Sequence, residues 1–148
     1  MANRMLRIAI VTETYPPEIN GVAMTISRMV EGLRQRHVVE LIRPRQNAQD
    51  SAKQELTLQE VLVRGFPLPR YEGLKLGLPA KRQLIKLWTA QRPDVVHLVT
   101  EGVDEGPILG QARVPILPGD DADSLAARVL AEEHRLYPHV LAEFCREP

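Results

Sequence analysis

His97 and Asp104 are the first residues whose types and spacing suggest chemistry. His97 lies in the apolar run VVHLV, and Asp104 in the turn sequence EGVDEG just beyond it. A carboxylate beside an imidazole relays a proton or orients the ring. Asp104 also suits plain turn formation ahead of Gly106. A second candidate is TETYPPEINGVA, where Asn20-Gly21 precedes a helical pattern. A helix N-terminus offers unpaired N–H groups and partial positive charge, which together bind phosphate, and Gly21 lets the backbone approach closely. The stretch lacks the three-glycine dinucleotide fingerprint, and an ordinary strand-to-helix turn accounts for it as well.

The remaining side chains give less. His37, His134 and His139 do not form a metal set, because His134 and His139 stand five apart across Pro138. No metal is expected. Cys145 is the one cysteine, which rules out an internal disulfide framework and a cysteine-based metal site. The basic stretch Lys75–Lys86, with Leu74, Leu76, Leu78 and Trp88 nearby, suits weak contact with an anionic membrane surface, or a solvated helix face. Aromatic residues make up only 4%, and no nucleic-acid-binding motif is present, so nucleic acid is not expected as a partner.

These residues need elements to hold them. Leu6–Thr12 is a short Ile/Val-rich run that suits a strand buried on both faces. Val22, Ile26, Met29, Val30 and Leu33 recur at helical spacing and predict an amphipathic helix over 22–35. Val38–Ile42, Val61–Val63 and Val95–Val99 read as further strands. Residues 46–57 read as an exposed loop and 65–79 as an irregular connection. Pro79 opens a helix over 79–91. The segment 112–117 is a fifth, extended piece beside the fourth strand, and prolines confine it to an edge. A last helix spans 122–144, with Asp120, Asp121 and Asp123 at its positive end and a kink expected at Pro138. The pattern predicts an α/β fold: a truncated Rossmann-like three-layer domain with a mostly parallel sheet, a C-terminal extended segment and a long terminal helix.

Length and charge set the bounds. With 148 residues, 44% of them apolar, the chain suits one packed domain with a small appendage. No apolar run approaches the ~20 residues of a bilayer span. The first residues lack the apolar core of a secretory signal, so the expected compartment is the cytoplasm. The net charge of zero hides an asymmetry. Residues 1–92 carry 15 Lys/Arg against 8 Asp/Glu, and residues 93–148 carry 4 against 11. Such a switch suits two partners, two origins, a dipolar fold or ordinary surface variation.

The strings MLRIAIVTETYPPEINGVAMTISRMVEGLRQR, VVELIRPRQ and RPDVVHLVTEG resemble the N-terminal half of family-4 glycosyltransferases, two-domain enzymes of the GT-B type. The resemblance covers residues 5–102. It implies that Asn20 and Gly21 face the phosphate of a nucleotide sugar. It implies too that His97, Thr100, Glu101 and Gly102 reach the donor and acceptor sugars. Relatives carry a second histidine where Val99 stands, and a helix-capping glycine where Arg36 precedes His37. The donor-binding domain of such enzymes is not encoded here.

VHLVTEGVDEGPILGQARVPILPGDDADSLAARVLAEEHRLYPHVLAEF resembles the C-terminal third of phosphoribosylglycinamide formyltransferases, which move a formyl group from 10-formyltetrahydrofolate to an amine in purine synthesis. This resemblance covers residues 95–144. It implies that Asp104 stands at the catalytic aspartate and His97 at the histidine of the preceding strand. The family's catalytic asparagine, second histidine and phosphate-holding glycine loop have no counterpart in residues 1–94.

The two resemblances overlap at VHLVTEG, where the charge also switches, and together they describe a chimera with segments 1–102 and 103–148. The leading expectation is an acceptor-side glycosyltransferase domain, a transferase incomplete without its donor domain. The alternatives are a formyltransferase-like protein with an incomplete site and a non-catalytic remnant. The co-substrate expected is a nucleotide sugar in the first case and 10-formyltetrahydrofolate in the second. No tightly bound cofactor is expected, the substrate is a small molecule, and the sequence sets no oligomeric state.

Overall fold

The computed structural model describes residues 4–13, 15–16, 21–67, 75–77, 81–101 and 108–144. Its main sheet has the strand order β3-β2-β1-β6-β7. The strands are β1 (Arg7–Thr12), β2 (Val38–Pro44), β3 (Leu58–Val63), β6 (Val95–Glu101) and β7 (Ile108–Val114). The first four run parallel, and β7 runs antiparallel to β6. The short strands β4 (Gly65–Pro67) and β5 (Lys75–Gly77) form a separate antiparallel pair. The helices are α1 (Gly21–Arg34), α2 (Lys81–Ala90) and α3 (Ala122–Phe144).

The period-two alternation of strands sorts the apolar residues into two layers. Ile8, Ile10, Val39 and Leu41 face one way and pack with Val22, Ile26 and Val30 of α1. Ala9, Ile42, Val96, Leu98 and Val114 face the other way, toward Leu84 and Trp88 of α2 and Leu125 and Val129 of α3. Both faces of the central strands are thus covered, which is why they read as continuous Ile/Val runs.

The sheet differs from expectation at its edge. β7 begins at Ile108 rather than 112 and ends at Val114. Pro115 cannot donate the next ladder hydrogen bond, so the strand stops there. The stretch 65–79, expected to be irregular throughout, contains the β4–β5 pair. In the exposed loop 46–57, the Asp50 side chain is 4% exposed, because Arg43 draws it inward. The Pro118-Gly119 break is a turn closed by Asp120 N–H to Leu117 C=O at 3.1 Å, and Gly119 has φ of 86°, a conformation that disfavours a side chain. The turn feeds α3, where Asp121 Oδ1 accepts from Ser124 N–H at 2.8 Å and caps the helix. Trp88, counted with the basic stretch as a membrane-facing group, is 2% exposed and belongs to the core. Among the described residues, no helix is long and apolar enough to cross a membrane.

Candidate functional site

A doubly wound sheet opens a crevice where its strand order reverses, at the carboxyl ends of the strands. Here the reversal lies between β1 and β6, which pair from Ile8↔Val95 to Thr12↔Val99. The connection from β1 to α1 and the connection from β6 to β7 both leave from that rim. The fold therefore brings Gly21, the first residue of α1, to the same end of the sheet as Thr100 and Glu101, the last residues of β6. A Cβ added at Gly21 would meet nothing within 4 Å, so the backbone there is open to approach. Asn20, Gly102 and Asp104 lie outside the described residues. The flanks of the segment that holds Asp104 are fixed, because Thr100 pairs with Gly110 and Glu101 with Ile108.

His97 sits elsewhere on β6. Four residues separate it from Glu101, a rise of about 13 Å along a strand. Its cross-strand partner is Arg113, and Gln111 lies two residues along the same face of β7. Burial holds the imidazole below its ordinary pKa; a hydrogen bond with Gln111 opposes this and the Arg113 charge reinforces it. The ring is therefore neutral at pH 7. It borders a groove of about 580 Å³ beside α1, whose lining includes Ile8, Met29, Leu33 and Arg113. Gln111 and Arg113 escaped the sequence reading because only the β6–β7 register sets them beside His97. The alternation in ILGQARV did contain the signal that they share a face.

The other histidines described have different surroundings. His37 Nδ1 accepts from the Leu6 N–H at 3.3 Å. No group of three or more His, Cys, Asp or Glu able to hold a metal is found among the described residues. Three buried polar groups were also missed. Glu40 is fully buried under α2, and Arg43 and Glu60 are buried beneath Tyr15 and the 46–57 loop. Arg43 pairs with Asp50 at 2.7 Å and Glu60 at 3.1 Å. Each stands in an apolar strand pattern, and only tertiary packing determines whether such a residue meets a partner.

Comparison with known proteins gives the ancestry. A family model described as formyl transferase matches residues 67–141, half of the chain. The phosphoribosylglycinamide formyltransferase of Escherichia coli is 39% identical over 77 residues, covering 52% of this chain and 34% of that protein. The chloroplastic phosphoribosylglycinamide formyltransferase of Vigna unguiculata is 52% identical over 81 residues, covering 54% and 26%. The trifunctional purine biosynthetic protein adenosine-3 of Drosophila melanogaster is 44% identical over 75 residues, covering 51% and 5%. The chain thus spans about a third of the bacterial relative's length and less of the other two. No solved structure matches the chain.

These matches overturn the glycosyltransferase reading of residues 5–102, and with it the nucleotide-sugar co-substrate. The family match begins at residue 67 and takes in α2 and β6, which that reading had claimed. A strand, a glycine-containing loop, a helix and a second strand open many doubly wound domains, so that spacing did not discriminate between families. By the extent of the family match, the chain belongs to the formyl transferase family.

Proposed function

We propose that this chain carries part of a phosphoribosylglycinamide formyltransferase site, for formyl transfer from 10-formyltetrahydrofolate to a primary amine in purine biosynthesis. The formyl transferase match crosses the boundary between segments 1–102 and 103–148, and the residues before it supply β1, β2 and β3 of the sheet. The amine nitrogen attacks the formyl carbon, the bond from that carbon to the folate nitrogen breaks, and the proton lost by the amine returns to that nitrogen. Asp104 is the group that carries the proton. A carboxylate poised for such a transfer contributes roughly 10²–10⁴-fold.

Asn20, Gly21, Thr100, Glu101 and Gly102 are the substrate-contacting positions of this reading, and of these the strand order brings Gly21, Thr100 and Glu101 to one rim. His97 is a positioning residue that acts through Gln111 on the β6–β7 ladder. What supports the reading most is the formyl transferase match over residues 67–141, which spans the whole hairpin from Val95 to Val114. The oxyanion donors of such a site come from residues outside this set.

The test is formyl transfer to phosphoribosylglycinamide by the purified full chain. Slow turnover is expected, falling at least tenfold in Asp104→Asn. Equal rates for the chain and that variant would refute the role of Asp104. His97→Gln is expected to weaken turnover less and to remove an imidazole titration from the pH profile.

A further inference from the structure

The two faces of the sheet are covered unequally. Leu84 and Trp88 of α2 and Leu125 and Val129 of α3 pack on the side of Leu98 and Val114. On the side of Ile8 and Ile10, α1 is the one helix among the described residues that packs. Beside α1, along the beginning of β6 and the end of β7, lies the groove of about 580 Å³. Ile8, Met29, Leu33 and Ile116 give it apolar walls. Asp94 lines one end, and the cross-strand pair His97 and Arg113 lines the other. Three residues separate Asp94 from His97, about 10 Å of strand.

We propose that this groove binds a small monocarboxylate with an apolar body, its carboxylate on the Arg113 guanidinium and its hydrocarbon against Ile8, Met29 and Leu33. The two ends of the groove differ in available charge. Asp94 Oδ1 accepts from Arg4 at 2.7 Å and Oδ2 from the Arg7 N–H at 2.8 Å, so both of its oxygens are engaged. Arg113 is exposed and forms no ion pair with a described residue. A guanidinium fork matches the two oxygens of one carboxylate. His97 beside it is held neutral and adds no second charge. A further charge on the ligand lies over the apolar walls, where it loses hydration without gaining a partner. An exposed ion pair alone is weak, and the apolar walls supply the rest of the affinity by taking hydrocarbon out of water.

The groove lies toward the beginning of β6, away from the reversal rim, and its test requires no turnover. Octanoate is titrated into the full chain below its micelle threshold while the methionine methyl groups are followed by NMR. Met29 lines the groove, and Met24, 47% exposed on the same helix and outside the lining, is the control. A saturable shift is expected at Met29 with Met24 unmoved. Octanol is expected to bind at least fivefold more weakly than octanoate, and octylammonium more weakly still. Arg113→Gln is expected to weaken octanoate at least tenfold and to leave octanol unchanged. Equal movement of both methyls means surface adsorption and would overturn the proposal. So would octanol binding as tightly as octanoate, or unchanged octanoate binding in Arg113→Gln. Sedimentation of the ligand-free chain closes the test: a dimer dissociated by Met29→Lys would assign the groove to a second copy of the chain and overturn the proposal as well.

Discussion

The Trp88 indole N–H donates to Glu40 Oε2 at 3.2 Å, joining α2 to the middle of the sheet through a carboxylate that is fully buried. Arg7 holds the other oxygen at 2.8 Å. Burial pushes the Glu40 carboxyl above its ordinary pKa, and the bonds from Arg7 and Trp88 oppose that rise. Trp88→Phe keeps most of the apolar volume and removes one donor. It is expected to cost about 1–3 kcal/mol by urea denaturation. Arg7→Met leaves the charge unpaired and is expected to cost more, about 3–5 kcal/mol. A smaller loss for Arg7→Met than for Trp88→Phe would contradict this ordering.

Arg43, Asp50 and Glu60 make the second buried charge set. Arg43 is 3% exposed, and its guanidinium lies 5.8 Å from the centre of the Tyr15 ring. Its hydrogen bonds hold the Asp50 carboxyl below the usual range. A depressed carboxylate pKa means that the folded state binds fewer protons than the unfolded state. Stability from Asp50 is therefore present above the unfolded value near 3.8 and lost as pH falls through the folded one. Asp50→Asn is expected to cost about 3–5 kcal/mol at pH 7 and to flatten the acid limb of the stability curve.

Glu133 on α3 has the opposite sign. Burial pushes its carboxyl up to about 7. The folded state then holds a proton that the unfolded state has released between about pH 4.5 and 7. The stabilising contribution of this group is full below that window and declines through it, by up to ~1.4 kcal/mol per pH unit. Glu133→Gln is expected to gain stability relative to the parent chain at pH 8 and to match it near pH 4. Thermal denaturation across that range checks the sign. A parent chain that tracks the variant at every pH would contradict the shift.

Helix α3 is expected to be fastened by Leu125, which is fully buried with Val129 between the helix and the sheet. Leu125→Ala is expected to cost about 2–5 kcal/mol by removing transfer energy and opening a cavity. Arg135→Ala, on the exposed side of the same helix, is expected to change stability by less than about 1 kcal/mol. Equal effects for the two would show that the helix does not pack on the sheet as described.

Much of the order of elements was legible in the chain itself. The Ile/Val runs, the helical spacing of Val22 to Leu33 and the prolines around 107–118 reflect local physics, and local physics is what sequence periodicity records. The parallel pairing of β1 with β2 and β6 accords with the helices that separate them in the chain, whereas β2 and β3 run parallel across a connection that holds no helix. Family was less legible, because the opening strand–loop–helix spacing belongs to a whole fold class. Only the EGPIL and EEHRLYP strings separated one ancestry from another.

What tertiary structure alone decided is which distant polar groups meet. Glu40 and Trp88 stand 48 residues apart, Arg43 and Glu60 stand 17 apart, and His97 meets Gln111 only through the β6–β7 register. A charged residue within an apolar strand looks the same in sequence whether it is paired in the core or exposed at an edge. Hydrogen-bond and Coulomb energies depend on separation in space, and strand register and helix packing set that separation.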